Sequence, residues 1–278
     1  MSLSSSRFLR RLSERSQGAS VRIGLAPDTV QIARGGSSGE GRVQAQVIQA
    51  PAGRPADWRP GIEALRDRLP IWAREAKCIR FVLSNHFAHF ALLPWNERIW
   101  RRAERLAQGR GVLESIHGGA FGECELEIAE MGYRQAAIIC GVERELLQTL
   151  RDIAAAHRLR LISVQPYFTA AYAAHRAHLD QSGCFAVTES SRLTFAVFRS
   201  GHCEAIGSRR ILGTQSAADV LLQELLAADF EAQPSKVQFL GSIESRGWPA
   251  EMAPLSPLAV HVDLARDGCA LALCGAGW

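Results

Sequence analysis

The polar residues best placed to do chemistry lie at turns between apolar, β-prone runs. Ala26-Pro27-Asp28 separates Ser20–Leu25 from Thr29–Arg34, and Glu189-Ser190-Ser191-Arg192 separates Cys184–Thr188 from Leu193–Phe198. Gly241-Ser242 follows the apolar run Lys236–Leu240. A corner that cradles phosphate and holds magnesium needs glycine, for close backbone approach, and a carboxylate for the metal. The second corner offers Thr188, Glu189, Ser190 and Ser191 instead, and the first offers Ala26 with Asp28 beside it. Asp28 and Glu189 are the nearest carboxylates, but a residue shifted by one along a strand points to the opposite face.

Other chemistries find less support. His86 and His89 form an H-x-x-H, as do His175 and His178. On a strand, positions three apart face opposite sides; on a helix the second pair could share a metal, but no third ligand stands nearby, so no metal site is expected. The seven cysteines are an odd number, lie mostly inside apolar runs and include no C-x-x-C, which reads as reduced core thiols in a cytoplasmic protein. There is no G-x-S-x-G elbow for a hydrolase. A net charge of +4 over 278 residues is too small for a general nucleic-acid surface. No apolar run approaches the length of a membrane span, so the chain is expected neither to be secreted nor to cross a membrane.

Met1–Gln17 carries four arginines with Phe8, Leu9 and Leu12 and reads as a basic arm over residues 1–19. Ser20–Leu25, Thr29–Arg34 and Arg42–Ala50 read as a β-meander, its second turn the flexible loop Gly35–Gly39. Ile62, Leu65, Leu69 and Trp72 predict an amphipathic helix over Gly61–Ala76, kinked or divided at Pro70. Cys78–Leu83 and Phe87–Leu93 read as strands. Asn96 is expected to cap a helix Glu97–Ala107, with Val112–Phe121 a second short helix. Glu123–Met131 and Arg134–Gly141 read as strands, Glu143–His157 as a helix, Leu159–Val164 as a strand and Pro166–Leu179 as a helix. Beyond Gly213, Thr214 or Ser216 caps a helix Ala217–Phe230, Lys236–Leu240 is a strand, Ser245–Pro257 is irregular, Leu258–Leu264 is a last strand and Ala265–Gly275 a small-residue helix.

Two halves, Val21–Val164 and Cys184–Trp278, thus each begin with hairpin strands and continue into helices. The segments VRIGLAPDTVQIAR (Val21–Arg34), RLISVQPYFTAAY (Arg160–Tyr172), FAVTESSRLTFAVFRSGHCEAIGSRRI (Phe185–Ile211), VQFLGS (Val237–Ser242) and LARDGCALALCGAGW at the end resemble, in order and spacing, the actin-like proteins of pilus and secretion machines. That family includes type IV pilus assembly protein M, the MSHA pilus biogenesis protein I and the cytoplasmic domain of type II secretion protein L. The resemblance implies an α/β, actin-like (ribonuclease H-like) fold: a first half over 20–181 with an inserted subdomain, and a shortened second half over 182–278.

Members of the family that bind ATP carry D-x-G in both hairpins and paired glycines after the adenosine strand. Here Ala26 and Thr188 take the acidic positions, Ser190 takes the second glycine's place, and Gly241-Ser242 replaces the glycine pair. The resemblance therefore implies a non-catalytic cytoplasmic scaffold, with no cofactor, peripheral to an inner-membrane type IV pilus or type II secretion platform. Such relatives bind a membrane partner's cytoplasmic peptide and contact the assembly ATPase; membrane contact would be indirect, and a homodimer stays open. Phe87, Phe90, Leu92, Trp95, Arg101 and Arg105 are the candidate partner surface on apolar and arginine content. The alternative is a divergent ATPase holding ATP and magnesium between the halves with Asp28 and Glu189.

Overall fold

The computed structural model describes residues 20–35, 44–49, 57–99, 101–119, 121–189, 191–228, 234–243, 248–250 and 252–258. The basic arm, the glycine loop beyond Gly35, Ser190 and the expected C-terminal helix lie outside the described residues, as does all but Leu258 of the expected last strand. The chain forms two compact units. One is built from the described parts of Arg7–Ala88 and from Val142–Ala174; the other from the described parts of His89–Gly141 and His175–Ala259.

In the first unit, β1 (Ser20–Leu25), β2 (Thr29–Gly35) and β3 (Gln44–Gln49) form the antiparallel meander expected from their Val and Ile content. β4 (Cys78–Leu83) and β8 (Arg160–Pro166) join it in parallel, giving the order β3-β2-β1-β4-β8. The period of two puts Val21, Ile23 and Leu25 on one face in register with Ile79, Phe81 and Leu83, all fully buried. Helix α1 (Arg59–Ala73) buries Ile62, Leu65 and Leu69. Gly61 lets it close on the sheet, since a Cβ there would come within 2.7 Å of Leu25 Cδ1. Pro70 does not divide α1: it sits on an exposed face, where its missing N–H leaves a carbonyl to water. Helix α3 (Arg144–Ala156) buries Leu146, Leu150, Ile153 and Ala154, and Trp58 Nε1 donates to Glu143 Oε2 at 2.8 Å. Helix α4 is Tyr167–His175. At the end of β4, the buried Asn85 accepts the Phe168 N–H at its Oδ1, 2.9 Å away.

In the second unit, β9 (Cys184–Glu189), β10 (Arg192–Arg199) and β11 (His202–Arg210) repeat the antiparallel meander. β12 (Val237–Leu240) and β13 (Leu255–Pro257) extend it in parallel, in the order β11-β10-β9-β12-β13. The two five-stranded sheets therefore share one topology, two reversals followed by two parallel additions. Helix α5 (Ala217–Ala227) buries Val220, Leu221 and Leu225, which join a core with Phe195, Val197, Val237 and Phe239.

The same unit carries a three-stranded sheet, β5-β7-β6, formed by β5 (Ala88–Leu93), β6 (Cys124–Ala129) and β7 (Ala137–Glu143). Its helix α2 spans Arg102–His117, which corrects two sequence expectations. Asn96 caps no helix: its Oδ1 accepts the Arg98 N–H at 3.0 Å in a turn, and the helix starts later. Nor do Gly109 and Gly111 break it. Gly109 faces β7, where a Cβ would lie 2.0 Å from Ile139 Cδ1, so that glycine is the packing surface rather than a stop. A third correction is β13, which lies in the stretch expected to be irregular. Its backbone is recruited by β12, in spite of Pro257, because a parallel edge needs only one side of each strand.

Candidate functional site

The first corner is a tight turn. The Ala26 N–H donates to the Thr29 carbonyl at 2.9 Å, Ala26 is buried, and the exposed Asp28 accepts the Thr29 hydroxyl at 3.4 Å. Nothing carboxylic stands at the buried position.

The second corner is built where β9 and β12 end and α5 begins. Thr188, Glu189 and Ser242 line a cavity of about 420 Å³ with Ile211, Thr214, Gln215, Ser216 and Ala217. Its described walls are hydroxyls, an amide, one carboxylate and the apolar Ile211 and Ala217, with no lysine or arginine among the described residues.

The groups that could have met a phosphate are engaged with one another. Gly241 has φ +103°, and a Cβ there would lie 2.2 Å from Thr188 Oγ1 and 2.7 Å from the Thr188 carbonyl oxygen. The Thr188 hydroxyl donates to the Leu240 carbonyl at 3.3 Å. The glycine thus admits Thr188. At the start of α5, the Ser216 hydroxyl accepts the Asp219 N–H at 3.0 Å and Asp219 Oδ2 accepts the Ser216 N–H at 3.1 Å, a reciprocal capping box. Those bonds from Ser216 hold the Asp219 carboxyl below its ordinary range, so the positive end of the helix is already neutralised.

Glu189 is half-buried and adds negative charge to the cavity. Arg192, next along the hairpin, has its pKa lowered mainly by burial, opposed by Glu189; its NH1 donates to Ser208 Oγ at 3.1 Å. A triphosphate with magnesium does not fit these residues. Among the described residues the cavity supplies one carboxylate where the metal wants several oxygens, and no cation for the phosphates. Among the described residues no group of three or more His, Cys, Asp or Glu could hold a metal ion.

Sequence reasoning named Thr188, Glu189, Gly241 and Ser242, which the fold brings together, and Ala26 and Asp28, which stand at the first corner. Ser190 lies outside the described residues. The reasoning missed Ile211, Gln215 and Ala217 as cavity walls; the S-x-x-D of Ser216 and Asp219 was their only signal.

The six candidate partner-surface residues divide. Phe90 is 1% exposed and Phe87 6%, so both are core and offer no surface: Phe90 faces inward on β5 and Phe87 is buried in the 3-10 turn just before it. Leu92 is half-buried and Arg101 exposed. Trp95 meets Tyr133 edge-on at 5.4 Å, and Arg105 lies over the Trp95 ring at 5.8 Å while its NH1 donates to Glu130 at 2.7 Å. Tyr133 is 72% exposed, a surface aromatic that the sequence reading did not single out. The half-buried His89 packs edge-on against His117 at 5.1 Å, and burial, then His117, then Arg192 push its pKa down to about 4.

No known family model matches the chain, and no curated protein sequence does. Solved structures do match. The cytoplasmic domain of EpsL, an inner-membrane component of the type II secretion system of Vibrio cholerae, is similar over 90% of this chain and 93% of its own, at TM-score 0.56 and 14% identity. A Bacteroides thetaiotaomicron protein of unknown function with an actin-like ATPase fold matches over 97% and 99%, at TM-score 0.61 and 12% identity. A PilM–PilN type IV pilus biogenesis complex matches over 94% and 95%, at TM-score 0.57 and 12% identity. The chain has the actin-like fold, and its two five-stranded sheets share one topology. No described helix is long and apolar enough to cross a membrane.

Proposed function

We propose that this chain is a non-catalytic cytoplasmic scaffold of an inner-membrane assembly platform of the type IV pilus or type II secretion kind, and that it holds the cytoplasmic peptide of a membrane partner. The observation that carries the reading is the internal satisfaction of the second corner. Thr188 fills the space that Gly241 leaves, and Ser216 with Asp219 closes the N-terminus of α5. A fold that keeps both sheets while spending its anion-binding groups on itself has a use other than phosphate chemistry. The likeness to the EpsL cytoplasmic domain and to the PilM–PilN complex supports the choice of machine. An assembly ATPase is a further expected partner.

Two measurements test this. Calorimetric titration with ATP and magnesium is expected to give no binding heat; saturable, magnesium-dependent heat that disappears in Glu189→Ala would establish the divergent ATPase instead. Affinity capture from solubilised inner membranes is expected to retain a membrane protein of a pilus or secretion machine, and repeated capture of none would refute the scaffold.

A further inference from the structure

Among the described residues, the first sheet ends in a strand with none of the devices that keep sheet edges apart. β3 is six residues, Gln-Ala-Gln-Val-Ile-Gln, with no charge and no proline, and it pairs with β2 without a register shift. Gln46, Val47 and Ile48 are half-buried and Gln49 is exposed. The other edges of the two five-stranded sheets differ. β8 opens on the exposed Arg160 and closes on Pro166, and β13 is three residues long with Pro257. β11 carries Glu204, Arg209 and Arg210, and its pairing with β10 shifts between Val197 and Phe198. In the three-stranded sheet, β6 carries Glu125 and Glu127, and β5 is uncharged but has four of its six residues buried. Charge, proline, shortness and irregularity are how sheet proteins avoid edge-to-edge pairing. Among the described edges, β3 alone is uncharged, regular and still partly open to solvent.

We infer that β3 is the contact through which two copies of this chain associate, antiparallel about a twofold axis, so that the two first sheets run on as one. A second copy suits this strand because a twofold antiparallel pairing sets each residue opposite one from the same face of its twin. Centred on Val47, the pairing sets Val47 against itself, Gln46 against Ile48 and Ala45 against Gln49. Nowhere do like charges meet, and a β-branched pair sits on the axis, the kind of cross-strand pair that stabilises a ladder. Helix α1 covers the same strand, with Trp72 Nε1 donating to Gln46 Oε1 at 3.3 Å, so Gln46 is held in place before any partner arrives. The inference does not depend on the scaffold reading.

The test is sedimentation velocity of the full chain over about 1–200 μM, the range suited to an interface at the small end of specific contacts. A monomer–dimer equilibrium is expected. Val47→Lys, which sets like charges face to face on the axis, and Gln49→Lys, at an exposed position, are each expected to raise the dimer dissociation constant at least ~10-fold, with unchanged circular dichroism. A chain that stays monomeric throughout overturns the inference, as does a dimer that persists unchanged in Gln49→Lys. Should Val47→Lys fail to fold, Gln49→Lys decides alone, because its side chain packs in no core.

Discussion

Gly241→Ala separates a glycine kept for packing from one kept for a ligand. At φ +103° a non-glycine residue carries about 1–3 kcal/mol of backbone strain. The new methyl would stand 2.2 Å from Thr188 Oγ1 and 2.7 Å from the Thr188 carbonyl oxygen. The hydroxyl can rotate away but the carbonyl is held within β9, so overpacking adds about 1–3 kcal/mol. A loss near 3 kcal/mol is expected, and with a urea slope of about 2–3 kcal/mol/M the unfolding midpoint should fall by roughly 1 M. The double variant with Thr188→Ala removes the hydroxyl contact only and should recover about 1 kcal/mol. Gly111→Ala is the control: nothing lies near its Cβ position within α2, so it should leave stability equal or raise it by about 0.5–1 kcal/mol. A midpoint shift under about 0.3 M for Gly241→Ala, joined to loss of a nucleotide signal present in the parent chain, would refute the packing account and restore the glycine to a ligand.

Gly109→Ala should cost about 1–3 kcal/mol in thermal or urea unfolding, because Ile139 must leave its rotamer; a neutral result would show that α2 sits farther from β7. Ser216→Ala should lower stability by about 1 kcal/mol through loss of the cap on α5. His89 has a folded pKa near 4 against about 6.5 unfolded. Above pH 6.5 it is neutral in both states and contributes no slope. Between pH 6.5 and 4 the unfolded chain takes the proton first, so stability falls as pH falls, by about 2 kcal/mol once partial exposure is allowed for. His89→Gln should flatten that part of the stability–pH curve, and an unchanged slope would assign it to other groups.

Much of the framework is legible in the sequence because its causes are local. Alternating Val and Ile in Val21–Leu25, and the apolar runs Phe185–Val187 and Leu193–Phe198, state their strands through a period of two. The amphipathic spacing of Leu146, Leu150 and Ile153 states α3 equally well. The failures have non-local causes. The stretch between the two expected helices, Glu97–Ala107 and Val112–Phe121, is helical because Gly109 packs on Ile139, and β13 is a strand only because β12 offers an edge. Phe87 and Phe90 read as a sticky surface, since a sequence shows that a side chain is apolar but not what already covers it. At the corner, the missing acid and glycine could be read directly. That Thr188 and Gly241 answer each other could not, as their strands are joined only in the folded sheet.

The first sheet also sets an order of events during synthesis. β4 can complete its pairing only with β8, and the bond between Asn85 and Phe168 spans 83 residues. Every residue of the three-stranded sheet must leave the ribosome before the first unit can close. Until then β4 carries Ile79, Phe81 and Leu83 beside an empty edge, an interval in which a nascent chain is open to aggregation and to chaperones. Slow codons or a chaperone site within residues 89–141 would therefore govern the folding of a unit to which that segment does not belong.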